Sequence, residues 1–147
     1  MAKEQFSQYS FLLDRTARRV KQYAQQKFKL EAFDITVDQW LVLRQLADGE
    51  QLSQTELAQR VSKDHPTLTR ILDILEKKQL LLRQQHPSDR RSFQLMLTTE
   101  GEEKVRHLRP KIAEIRQQAW KNLTEQDFDE FKRILTTIYD NLNQENV

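Results

Sequence analysis

The side chains able to do covalent or acid–base chemistry are few and poorly placed for it. Three histidines, His65, His86 and His107, recur at intervals of 21 residues. Around none of them do a nucleophile, a base and an orienting carboxylate fall into a catalytic layout. Two glycines, Gly49 and Gly101, are too few for a glycine-rich phosphate loop. His107 with Glu102 or Glu103 has a spacing that helices produce by chance, so neither a metal site nor a cofactor is expected. With no cysteine there is no disulfide, no thiol redox sensor and no cysteine-based zinc site. These features argue against an enzyme. What the chain does carry is cationic hydrogen-bonding chemistry, unevenly spread. Between Arg60 and Arg91 eight basic residues stand against four acids, a local charge of +4. Sixteen basic and eighteen acidic residues elsewhere leave the remainder at −2. A block of that sign suits a polyanion met by one surface.

The elements that would position these cations are predicted to be mostly helices, because so few glycines and prolines interrupt the chain. Phe6, Tyr9, Leu13, Val20 and Tyr23 keep to one face of a helix running to about Leu30, with Arg15, Arg18, Lys21 and Lys27 on its solvated side. Thr36 is a plausible N-cap for a second helix carrying Val37, Trp40, Leu41, Leu43 and Leu46, which Asp48-Gly49 would end. Ser53 and Glu56 have capping-box spacing, with Leu57, Ala58 and Val61 turned inward. The chain then turns through Ser62-Lys63, and Asp64 caps a further helix that tolerates Pro66 in its first turn. Helix, tight turn, helix is the unit that lays its second helix in a DNA groove. On that second helix Leu68, Ile71, Leu72 and Leu75 form a core face, while Pro66, Thr69, Arg70, Asp73 and Lys77 lie opposite.

After Lys78-Gln79 the period shortens to that of strands, at Leu80–Arg83 and Ser92–Leu97, joined by a turn-rich loop from Gln84 to Arg91. Helix-turn-helix followed by two strands with an arginine-bearing tip reads as a wing. Thr99 with Glu102 is expected to cap a helix stepping through Val105, Leu108, Ile112, Ile115 and Ala119 across Pro110. Thr124 opens a last helix with Phe128, Phe131, Leu135, Ile138 and Leu142 on one seam. That is more apolar surface than a small lobe needs, and a second copy is the simplest cover for it. No run approaches the ~18–20 apolar residues of a membrane span, and the start, Met1 to Gln5, lacks an export segment, so a cytoplasmic protein is expected.

The run from Asp89 to Thr98, DRRSFQLMLT, fits D-x-R-x-x-x-L-x-L-T and is followed by Thr99-Glu100-Gly101. It resembles the wing signature of the MarR (multiple antibiotic resistance regulator) family. Leu68–Asp73, Leu75–Leu80 and the helix order resemble that family too, so the likeness covers almost the whole chain. It implies a mainly α (α+β) fold in one domain, 1–147. A winged helix-turn-helix lobe at 36–98, with a two-stranded wing, would be flanked by helical dimerisation regions at 1–35 and 99–147. It also implies a homodimer on double-stranded DNA with Arg91 entering the minor groove, Asp89 bracing the tip, Arg90 on phosphate and Asp64 orienting the wing arginine. The expected DNA-contacting set is Ser53, Ser62, Lys63, His65, Thr67, Thr69, Arg70, Lys77, Asp89, Arg90 and Arg91. Family members are usually repressors released by a small molecule or by cysteine oxidation. The second route needs a residue this chain lacks, and for the first the regional candidates are Phe11, Arg15, Ile35 and Trp40. The alternative is a winged helix devoted to protein or RNA contacts. Its recognition face would tend to be apolar, whereas here that face holds Thr69, Arg70 and Lys77.

Overall fold

Helix α1 (Lys3–Leu30) is the longest element of the protein, as a segment with no internal glycine or proline should be. The computed structural model describes residues 2–144, with the side chains of residues 49 and 90–92 outside the description. The chain divides into two units, Met1–Ile115 and Arg116–Val147.

In the first unit α1 is followed by a linker in which Ala32 and Asp34 take left-handed backbone conformations. Helix α2 (Val37–Gln45) starts where Thr36 and Gln39 satisfy each other's backbone N–H groups. The Gln25 carboxamide of α1 accepts from the backbone N–H of Val37 at 3.0 Å, so the linker is tied at both ends. Strand β1 (Leu52–Ser53) leads into α3 (Gln54–Val61), then α4 (His65–Lys77), strands β2 (Leu81–His86) and β3 (Asp89–Leu97), and α5 (Thr99–Gln117). The caps expected at Ser53 and Asp64 are both made, and Ser62 turns the chain between α3 and α4 in the left-handed region.

The core of this unit is one cluster of buried side chains. Leu43, Leu46, Leu57, Leu68, Leu72 and Leu75 are fully enclosed, and the inner faces of the strands (Leu81, Leu95, Leu97) and of α5 (Val105, Leu108, Ile112) close it. Phe28 and Phe33 meet edge to face at 5.3 Å and anchor the end of α1 in the same cluster.

Four sequence expectations need correction. The segment from Gln84 to Arg91 is strand on both sides of a turn at Pro87 and Ser88 alone. Gln84 and Gln85 face solvent, so no apolar alternation marks a ladder held by backbone hydrogen bonds. The sheet also has a third strand, in the order β1-β3-β2, with Leu52 opposite Leu95. The cap of α5 is Thr98, whose Oγ1 accepts from the Gly101 N–H at 2.9 Å and donates to the Gln79 carbonyl at 2.7 Å. The expected Thr99–Glu102 box is therefore replaced by a one-sided cap one residue earlier, since Gly101 has no side chain to reach back. Near the end of α2 the left-handed residue is Asp48, with φ of 66°.

The second unit holds a short 3-10 turn, Gln118–Trp120, and helix α6 (Glu125–Gln144), whose first turn is capped reciprocally by Thr124 and Asp127. Trp120 packs edge-on against Phe128 and Phe131 at 6.0 and 5.0 Å. No residue of α6 is buried in the single chain.

Candidate nucleic-acid interface

The outward face of α4 is built by its cap and its core side together. Asp64 accepts from the Thr67 backbone N–H (2.8 Å) and the Thr67 hydroxyl (3.0 Å), which sets the first turn. The backbone N–H of Thr67, seconded by its hydroxyl, holds the Asp64 carboxyl below the ordinary carboxylate range. Leu68, Ile71, Leu72 and Leu75 are buried, so the helix cannot rotate without exposing them. His65, Pro66, Arg70, Asp73 and Lys77 consequently face solvent, with Thr67 and Thr69 half-buried at the edges.

Of the residues expected to meet DNA, those of the helix-turn-helix gather on or beside this face. Ser53 has a second task as the cap of α3, and its hydroxyl is spent on the Glu56 N–H. Ser62 is exposed in the turn. Lys63 is half-buried, its ammonium 3.2 Å from Asp38, which also takes Lys21 of α1 at 2.9 Å. Burial opposes ionisation of Asp38, but the two hydrogen-bonded lysines outweigh it and keep the carboxyl below its usual range. Arg70 leans on Thr67 at 3.5 Å, and its guanidinium stays exposed. Asp89 is exposed at the start of β3, while the Arg90 and Arg91 side chains lie outside the described residues, as does any pairing of Asp64 with Arg91.

Two residues of this surface carry no signal in the sequence. Arg83 on β2 reaches Asp73 at 2.8 Å and Glu76 at 3.6 Å, fastening the wing strand to α4. Both acids stand on the exposed side of α4, and this pairing neutralises charge that would repel a polyanion. Gln54, the first residue of α3, donates its amide to Thr69 Oγ1 at 2.8 Å. Partners 10 and 15 residues apart share no helical period, so only the packed lobe reveals them.

The small-molecule candidates do not converge. Arg15 stacks over the Phe11 ring at 5.6 Å on the exposed half of α1, the two lying about 20 and 25 Å along the helix axis from Phe28 at about 1.5 Å per residue. Trp40 is in the core. Ile35 alone borders an open cleft, of about 440 Å³, shared with Gln25, Phe28, Lys29, Thr36 and Lys78. Among the described residues no group of three or more His, Cys, Asp or Glu side chains is arranged to hold a metal ion, and no helix is long and apolar enough to cross a membrane.

Comparison with known proteins agrees with this geometry. The MarR family model matches residues 35–93, from just before α2 to the middle of β3. The HTH-type transcriptional regulator YhbI of Bacillus subtilis is 40% identical over 76 residues, 52% of this chain and 49% of that one. The HTH-type transcriptional regulator SarZ of Staphylococcus aureus is 36% identical over 72 residues, 49% of each chain. The aligned part thus spans about half the length of these curated relatives. Among solved structures, the S. aureus MepR–DNA complex superposes with a TM-score of 0.80 and 30% identity, covering 90% of this chain and 97% of MepR. Near-complete coverage at that identity, with the family match centred on the helix-turn-helix and wing, establishes that the chain belongs to the MarR family.

Proposed function

We propose that the protein is a sequence-specific regulator of transcription that binds a pseudo-palindromic site on double-stranded DNA as a homodimer and represses. The observation that carries this reading is the outward face of α4. It is polar, cationic at Arg70 and Lys77, open to solvent, and held on a buried core and a capped first turn. Such a helix meets the major groove with groups that can bond base edges, while the wing follows the adjacent backbone. Its relative MepR has been solved on DNA. In this reading residues 36–98 form the DNA-binding lobe, 1–35 and 99–147 the dimerisation region. Ser53, Ser62, Lys63, His65, Thr67, Thr69, Arg70, Lys77, Asp89, Arg90 and Arg91 make the DNA contacts.

The homodimer is supported by two exposed amphipathic helices of opposite charge. Helix α1 has seven basic residues against two acids and leaves Phe6, Tyr9, Leu12 and Leu13 exposed. Helix α6 has five acids against two bases and leaves Phe128, Phe131, Ile134 and Ile138 exposed. Release by a small molecule, and a cytoplasmic location, belong to the same reading, and Ile35 marks the cleft where a ligand would meet both α1 and the lobe.

The test is titration of the full chain against random-sequence duplex DNA and against the intergenic DNA upstream of its own gene, at several salt concentrations. Tight binding to the second, with affinity falling steeply as salt rises, is the expected result. Equal, weak affinity for both would sink the sequence-specific reading.

A further inference from the structure

We propose that Gln54 belongs to the base-reading apparatus, because it fixes the Thr69 hydroxyl as a hydrogen-bond donor toward the groove. The inference rests on the DNA-binding reading above. Gln54 sits at the first position of α3, held in register by the reciprocal Ser53–Glu56 cap. Its carboxamide Nε2 crosses to α4 and donates to Thr69 Oγ1 at 2.8 Å, with both residues half-buried.

A threonine hydroxyl has one hydrogen to give and two lone pairs to receive. On an exposed helix it commonly turns that hydrogen back onto the carbonyl four residues earlier. Thr137 does so, donating to the Arg133 carbonyl at 2.8 Å. Thr69 does not: its oxygen accepts from Gln54, and among the described residues no acceptor takes its hydrogen. The hydrogen, with one remaining lone pair, is therefore left for an outside partner. In the major groove that hydrogen is satisfied by purine N7, guanine O6 or thymine O4. Gln54 thus keeps the Thr69 hydrogen available to these base edges, without contributing charge. Gln54 is a positioning residue in this scheme, and Thr69 is the reader.

The direction of the bond separates this role from a plain tether. In Gln54→Glu the carboxylate can only accept, so Thr69 must donate inward and the outward donor is lost although the contact survives. Glutamate in the first turn of a helix also suits the helix dipole, which protects folding. Gln54→Ala removes the contact, and Thr69→Val removes the hydroxyl.

The experiment selects bound sequences from a pool of random DNA duplexes with the full chain and each variant. It then measures affinity for the best wild-type duplex against salt, with thermal unfolding as the control. All three variants should lose preference at the same base-pair position. Discrimination over random DNA should fall roughly three- to tenfold in Gln54→Ala, the worth of about one hydrogen bond. Gln54→Ala and Thr69→Val should leave the slope of affinity against salt unchanged. The double variant Gln54→Ala/Thr69→Val should discriminate no worse than either single one. Wild-type preference retained in Gln54→Glu would make the contact a tether and overturn the proposal, as would additive losses in the double variant. A wild-type chain that selects no sequence would instead overturn the DNA-binding reading beneath it.

Discussion

Arg70 and Arg83 carry the same guanidinium on the same lobe, and their surroundings give them different work. Arg83 is three-quarters covered and engaged by two carboxylates, so it joins wing to helix. Arg70 is exposed and held by a 3.5 Å contact to the Thr67 hydroxyl, with no carboxylate among the described residues hydrogen-bonded to it as at Arg83. If Arg70 bonds guanine in two places, Arg70→Ala weakens the best duplex by about 1–3 kcal/mol and relaxes one position per half-site. Equal loss on random DNA would make it a phosphate contact instead. Gly101 is demanding for a different reason. A Cβ there would lie 2.0 Å from the carbonyl oxygen of Leu80, in backbone that cannot swing aside. Gly101→Ala must push the start of α5 away from the turn that joins α4 to β2, at a cost of roughly 1–3 kcal/mol. Urea unfolding should show a lower midpoint at unchanged slope, and an unaltered midpoint would contradict the close approach.

Among the elements, the turn between α3 and α4 is joined to α1 through Asp38, which holds Lys63 and Lys21 together. Asp38, Glu56, Asp64 and Glu130 all ionise more readily in the folded chain than their unperturbed types do. Groups of this kind give their full contribution above their unfolded pKa and lose it as pH falls through the folded one. Stability should therefore decline on acidification from about pH 5 downward. Asp38→Asn should shrink that decline, because the variant has one such group fewer. Denaturant titrations across the acid range decide it, and identical pH profiles would rule Asp38 out as a contributor. A loss of DNA affinity in Asp38→Asn without a loss of fold would show in addition that Lys63 needs its partner to be positioned.

At the scale of the molecule, α6 contributes no buried side chain to the single chain while presenting a continuous apolar seam. A charge placed on that seam should act on association and leave the lobe folded, because nothing in the lobe's core depends on it. Phe131→Glu combined with Ile138→Glu is expected to convert a dimer to a monomer in sedimentation equilibrium with helical content retained. A wild-type chain that sediments as a monomer at micromolar concentration would end the two-half-site scheme.

Most helices, the core face of α4 and four of the caps could be read from residue order alone. Periods of 3.6 and cap spacings of three residues are local physics, and Thr36, Ser53, Asp64 and Thr124 act where their neighbours require. The shared ladder of the wing was legible at Leu80–Arg83 and Ser92–Leu97 but not toward its polar tip, which has no burial to impose a period. The tertiary structure decided what depends on which elements become neighbours. It brought Leu52 to the edge of β3, Arg83 to two acids of α4, Gln54 to Thr69, and Gly101 against Leu80. It also spread the residues expected to share a ligand pocket, leaving Phe11 and Arg15 on exposed helix and Trp40 in the core. Side-chain pairing across elements depends on distance in space, and a sequence encodes that distance only through the whole fold.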